Sequence, residues 1–322
     1  MMSTMNMLPA LAILVLTLVA ALVAFTWRTA RRVERLLPPV GRFVDVPGAR
    51  LHVVEQGAGP ALLMIHGLGG QSGHYRAGVL ERLAGEFRCV VVDRPGSGYS
   101  RRATGTPATL EAQADALAAL IERLQLGRPV VVGHSLGGAL ALMLALRHPG
   151  QVAGLALLAP LSQVPRTVSP VFQGLLVRRA WLRSLIGWTL ATPLVILKGR
   201  PMMALIFGPE AVPADYGTRG GGLMNLRPSQ FVSASQDINA LPVSLPALQR
   251  RYGELALPLA VLYGRGDRIL EPAAQGQALV EQVPGAVLEL VEGGHMLPVT
   301  QPAISAEFIR AAARRALAAT AR

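Results

Sequence analysis

The sequence predicts an α/β protein: a mostly parallel sheet with helices on both faces, a membrane-spanning helix ahead of it and a helical segment inserted into it. Three observations carry this. From Arg42 onward, short and nearly all-apolar runs alternate with helical stretches. Twenty uncharged residues, Leu8 to Trp27, precede them. The stretch 161–245 breaks the alternation between two strand-like runs and is too long for a loop, so it reads as an inserted subdomain.

The apolar run LPALAILVLTLVAALVAFTW, as a helix, would be about 30 Å long, the hydrocarbon thickness of a bilayer. A cleaved signal peptide would want a basic start and a shorter apolar stretch. MMSTMNM carries no base, so a retained anchor over residues 1–40 is expected. Arg28, Arg31, Arg32 and Arg35 follow the span and no base precedes it. The positive-inside rule then gives a single-pass protein of the cell (inner) membrane with the following domain in the cytoplasm, a periplasmic domain being the alternative. Ala20, Ala21 and Ala24 are small residues through which two such helices could pair as a homodimer. Pro38-Pro39 ends any helix leaving the membrane.

After the prolines, RFVDV (42–46) and RLHVVEQ (50–56) read as an opening hairpin about Pro47-Gly48. ALLMIHG (61–67), RCVVVD (88–93), PVVVGH (129–134), VAGLALL (152–158), LPLAVLYG (257–264) and AVLELVEG (286–293) read as strands buried on both faces. TLEAQADALAALIERLQL (109–126) has apolar residues at three and four spacing and Thr109 as N-cap. LGGALALMLALRH (136–148) is a second helix. Strand–helix alternation of this kind makes a parallel sheet covered on both sides.

Composition narrows the function. Apolar residues make up 51% of the 322, enough for a large core, and charged residues only 16%, which excludes disorder. The single cysteine, Cys89, allows neither a disulfide nor a thiolate metal site and reads as a buried apolar residue. The net charge of +12 accompanies no nucleic-acid-binding module, so an anionic membrane surface is the better partner and nucleic acid is not expected.

The chemistry is written in VVVGHSLGGA, residues 130–139. Gly133-His134-Ser135-Leu136-Gly137 fits G-x-S-x-G at the end of a strand and the start of a helix. So abrupt a turn strains its middle residue and leaves no room for side chains two places either way, hence the glycines. It presents the serine hydroxyl at a helix N-terminus, where free N–H groups favour negative charge. Ser97, with adjacent glycines on both sides, has the wrong spacing.

A serine needs a base, and the base an orienting acid. Asp267, in LYGRGDRILEP, and His295, in VEGGHMLP, each follow a strand end, where catalytic groups of parallel sheets gather. Asp215 and Asp237 are alternative acids within the inserted segment. His52, His66, His74 and His148 suit structural roles, His148 at a helix end where it can meet the last carbonyls. His134 is expected to face away from Ser135. An oxyanion would need two donors: the N–H of Leu136 and one from the turn His66-Gly67-Leu68-Gly69-Gly70, namely Leu68, with Gly69 next. This turn has no GK[ST] or GxGxxG and is no phosphate cradle.

HGLGG (66–70), DRPGSGYS (93–100), GHSLGG (133–138), GRGD (264–267) and GGHMLP (293–298) together resemble the α/β-hydrolase superfamily. The resemblance covers about 42–160 and 246–322, and it implies that 161–245 is a cap over the active site. It implies a serine hydrolase with Ser135, Asp267 and His295 as triad and no metal or organic cofactor. Relatives that place aspartate at the elbow, the haloalkane dehalogenases and epoxide hydrolases, differ here. An anchor followed by this domain is similar in architecture to membrane-bound monoacylglycerol lipases and bacterial membrane-anchored phospholipases A. Residues 169–208 are apolar with Arg178, Arg179, Arg183, Lys198 and Arg200 and no acid, a composition suited to an anionic bilayer. The expectation is a membrane-anchored hydrolase of carboxylic esters of lipids. A C–C bond or small-ester hydrolase on soluble substrates and a non-catalytic binding protein are the alternatives.

Overall fold

The computed structural model describes residues 7–320; residues 1–6 of the expected anchor segment lie outside it. Nine strands form one sheet: β1 (Arg42–Val46), β2 (Ala49–Gln56), β3 (Ala61–Ile65), β4 (Arg88–Val92), β5 (Arg101–Arg102), β6 (Val130–His134), β7 (Gly154–Leu158), β8 (Leu259–Gly264) and β9 (Val287–Val291). Their order is β1-β2-β4-β3-β6-β7-β8-β9, with the short β5 beside β2. The pairs β1–β2 and β2–β4 are antiparallel. From β4 through β3 to β9 every pairing is parallel. The helices are α1 (Met7–Leu36), α2 (Gly73–Arg76), α3 (Val79–Leu83), α4 (Leu110–Arg123), α5 (Leu136–Arg147), α6 (Ala180–Thr189), α7 (Ala191–Phe207), α8 (Pro228–Gln249), α9 (Ala278–Val280), α10 (Leu297–Thr300) and α11 (Pro302–Thr320).

The apolar runs form strands because both faces of the sheet are covered. Leu63, Ile65, Val90 and Val92 enter one core with α4 and α5. Their neighbours Leu62, Met64, Cys89 and Val91 enter the other with α11. Thr109 caps α4, its side chain accepting from the Ala112 N–H. One expectation fails here. β9 is an edge strand with no fully buried residue, because β8 covers only one of its sides; its apolar composition concealed this.

Helices α6, α7 and α8 lie between β7 and β8. A buried ion-pair cluster ties this insertion to the core. Asp237 of α8 accepts from Arg94 and Arg102, both at 2.8 Å, and from the Gln113 side chain at 3.3 Å. Helix α1 is tied to the body as well. Thr26, Ala30 and Val33, one face of α1, are buried where α1 packs on α6 and the turn 222–226. Glu34 pairs with Arg227 at 3.2 Å, and the Tyr99 hydroxyl donates to the Leu37 carbonyl. His52 donates one ring N–H to Asp93 at 2.7 Å and the other to the Val40 carbonyl. Burial alone would lower its pKa, but Asp93 outweighs that and holds His52 above its ordinary value.

Candidate active site

Ser135 lies between β6 and α5 and has φ 54° and ψ −120°, a strained conformation for a residue with a side chain. Close packing enforces the turn. A Cβ on Gly137 would lie 2.2 Å from the Ile65 carbonyl oxygen, and one on Gly133 2.5 Å from that of Gly137. Leu136 is the first residue of α5, so its N–H has no acceptor within the helix.

His295 and Asp267 come from the loops after β9 and β8. The Asp267 carboxylate accepts the His295 Nδ1–H at 2.7 Å. Its other oxygen accepts the Ile269 and Leu270 N–H groups at 2.8 and 2.9 Å. Asp267 is thereby fixed as an acceptor, so the neutral His295 ring carries its proton on Nδ1 and presents Nε2 as the acceptor nitrogen. Ser135 and His295 line one cavity. Of the alternative acids, Asp215 is exposed in a turn and Asp237 is committed to Arg94 and Arg102.

The turn after β3 approaches the elbow closely: a Cβ on Gly67 would lie 2.9 Å from the Ser135 Cβ. Arg94, fully buried, donates to the carbonyls of His66 and Gly67 at 3.1 and 3.2 Å. His66 Nε2 accepts the Arg94 N–H at 3.0 Å, and its Nδ1–H donates to the Gly67 carbonyl at 2.8 Å. A trans peptide points its N–H opposite its C=O. Anchoring the Gly67 carbonyl therefore turns the Leu68 N–H to the other side. The sequence reading missed Arg94 and weighed Asp237 only as an alternative acid, not as the partner of Arg94; the local signal was the DRPG stretch, and the partner lies far away in the chain.

His134 departs from expectation. It lines the cavity with Ser135 and packs its ring 5.0 Å from that of His295. Its Nε2–H donates to the His295 carbonyl at 2.9 Å, so it holds the loop that carries the base. His66, His74 and His134 are buried, and that burial pushes each down to about 3, so all are neutral. His148 meets the Asp115 carboxylate at 2.8 Å instead of the last carbonyls of its helix.

Two apolar chambers meet at Ser135, and Leu68 and Phe172 border both. The first, about 150 Å³, is walled by α7 through Val195, Met202, Met203 and Ile206 and includes His295. His74, His134 and Gln230 line it as well, but Gln230 Nε2, His74 Nδ1 and His134 Nδ1 are themselves buried and have no hydrogen-bond partner among the described residues. The second, about 210 Å³, is walled by Leu161, Leu241, Leu245, Ile269 and Leu270. No lysine or arginine lines either chamber.

A strained serine at the strand–helix elbow of a parallel sheet, with a histidine–carboxylate pair on later loops, defines a hydrolase. The chain belongs to the α/β hydrolase fold family, whose model matches residues 60–302. It is 34% identical to the pimeloyl-[acyl-carrier protein] methyl ester esterase of Chromobacterium violaceum over 268 residues, 82% of this chain and 96% of that protein. It is 35% identical to the 2-hydroxymuconate semialdehyde hydrolase of Pseudomonas sp. strain CF600 over 124 residues, 38% of this chain and 44% of that one. Among solved structures, a membrane phospholipase A superposes with a TM-score of 0.69 at 21% identity, covering 97% of both chains. That likeness is one of fold.

Proposed function

We propose that the protein is a carboxylic ester hydrolase of membrane lipids that works through an acyl-enzyme on Ser135. The observation that carries this reading is the position of Ser135 at the junction of two apolar chambers beside His295. His295 takes the Ser135 proton as Oγ attacks the ester carbonyl. The N–H groups of Leu136 and Leu68 hold the oxyanion, Arg94 positioning the latter. The C–O bond to the alcohol breaks as His295 returns the proton to it. Water, deprotonated by His295, then releases the carboxylic acid and restores Ser135, while Asp267 holds the imidazole tautomer and its charged form.

The chambers divide the substrate. Leaving alcohols depart on the side of the base, so the first chamber, which His295 lines, takes the alcohol part. The second, lined mainly by leucine, isoleucine and valine, takes the acyl chain. An ester with an apolar chain and an oxygenated alcohol fits both. The ester chemistry of the methyl ester esterase and the membrane phospholipase A supports this reading. A soluble ring-fission acid would need a cation in its chamber, and none lines either one. Helix α1 is long and apolar enough to cross a membrane, and we propose that it anchors the enzyme there, with the catalytic domain on the cytoplasmic side.

The test is carboxylic acid release by the detergent-purified protein from monoacylglycerol, lysophospholipid, diacyl phospholipid and short p-nitrophenyl esters, beside a Ser135→Ala control. Release from a lipid by the wild type alone bears the proposal out. Turnover of short esters only would remove the lipid substrate and keep the triad. Equal turnover by Ser135→Ala would remove Ser135 from the mechanism.

A further inference from the structure

Helix α6 is inside out. Its buried residues are Arg183, Gly187 and Thr189, while Trp181, Leu185 and Trp188 are exposed at i, i+4 and i+7. Arg183 does not reach for headgroups, as its place in a basic run suggested. It donates to the Val177 and Arg178 carbonyls and to Ser235. Helix α7, bent 71° from α6, continues the pattern. Leu190, at its start, and Leu194 and Leu197 are exposed, Leu197 by 77%. On its other side Val195, Met202 and Ile206 wall the first chamber. A helix apolar on both faces needs an apolar medium on each.

We infer that α6 and α7 are seated in the same bilayer that α1 spans, lying along its surface, so that α7 is the partition between lipid and the catalytic chamber. Three observations select a bilayer as the medium. The exposed stripe of α6 adjoins α1, on which α6 packs, and so continues the apolar surface of the spanning helix. All three tryptophans of the chain, Trp27, Trp181 and Trp188, are exposed on these two helices. Tryptophan gathers at membrane–water interfaces, and Trp27 ends the apolar span there. Arg178, Arg179, Lys198 and Arg200 are exposed around the stripes, and 161–208 contain no acid, which suits anionic headgroups. The inference rests on α1 being a membrane span. Its consequence is that ester lipids reach Ser135 past α7, out of the membrane.

Tryptophan depth tests this in the full chain, reconstituted in phosphatidylethanolamine–phosphatidylglycerol vesicles containing lipids brominated on their acyl chains. Three variants each keep one tryptophan, the other two being phenylalanine. The expected result is quenching of Trp181 and Trp188 to within about twofold of Trp27. Quenching of Trp27 with Trp181 and Trp188 open to aqueous acrylamide would overturn the inference and leave the anchor standing. Trp181 and Trp188 shielded from both quenchers would overturn it in favour of a second copy on this face. No quenching of Trp27 would remove the anchor and the inference together. Leu194→Glu with Leu197→Glu supplies the functional arm. Release from vesicle lipid should fall at least tenfold, and turnover of a short p-nitrophenyl ester should stay within twofold. Equal effects on both, or on neither, would overturn the access route.

Discussion

In β3, β6, β7 and β8 every residue is buried, whereas in α6 and α7 the buried residues are few and include an arginine, a glycine and two threonines. Both regions are rich in leucine. In the core these side chains are removed from water by one another, at about 25 cal/mol per Å² of apolar area. In the cap they face outward or into the chambers, and internal burial cannot account for them. The core is thus fixed by close packing around its elbow. The inserted segment 161–245 holds to it through Leu241 and Leu245 of α8, through Phe207 and Tyr216 packed on Met296 and Val299, and through the buried Arg94–Asp237–Arg102 cluster. The difference separates the packed region that holds Ser135 from the one whose outward apolar face underlies the proposed access from the membrane.

Cutting the link has the largest expected effect on stability. Asp237→Ala leaves Arg94 and Arg102 without their carboxylate, and breaking a buried pair in this way costs about 3–5 kcal/mol. Urea unfolding of the full chain in detergent should show it, with a loss of ester turnover as the Gly67–Leu68 peptide loosens. Unchanged stability would mean that the cap is held by something other than this cluster.

One substitution made in both regions sharpens the contrast. Gly137→Ala forces a methyl to 2.2 Å from the Ile65 carbonyl and should cost about 3 kcal/mol and most activity. Gly199→Ala in α7 meets nothing within 4 Å and should stabilise by up to about 1 kcal/mol, as alanine does in helices. Similar outcomes at the two sites would refute the division into rigid core and open cap.

Acid is the gentlest probe. The cap segment 161–245 has no histidine, while His66, His74 and His134 surround the elbow with pKa values of about 3. An unfolded histidine titrates near about 6.5, so between these values the unfolded chain binds more protons, and stability falls as pH falls. From pH 6.5 to 5.5 each such histidine contributes a loss of about 1 kcal/mol. His52, held above its ordinary value, does not share in that loss. Melting temperatures at pH 7, 6 and 5 should decline in step; a flat profile would mean that water reaches these rings.

The strands and the elbow were legible because their causes are local. All-apolar runs, G-x-S-x-G and a histidine or aspartate just past a strand end each sit within a few residues. Arg94 and Asp237 were not legible, since their bond joins residues 143 apart in the chain. The direction of a side chain was equally hidden. His134 was expected to face away from Ser135 and lines its cavity, and Arg183 was counted among surface bases and is buried. Composition reports how apolar a helix is; which side meets the core depends on neighbours that only the fold supplies.

With α1 as the membrane span proposed above, the ties of α1 and the residues just after it to the body, Glu34–Arg227, Tyr99–Leu37 and His52–Val40, would make it a bracket instead of a leash. A leashed enzyme samples a volume of water above the bilayer. A bracketed one keeps its mouth at one height and heading and meets substrate by lateral diffusion in two dimensions. For such an enzyme bulk concentration loses its meaning. The rate should follow the mole fraction of ester in the membrane, falling when inert lipid is added at constant total substrate.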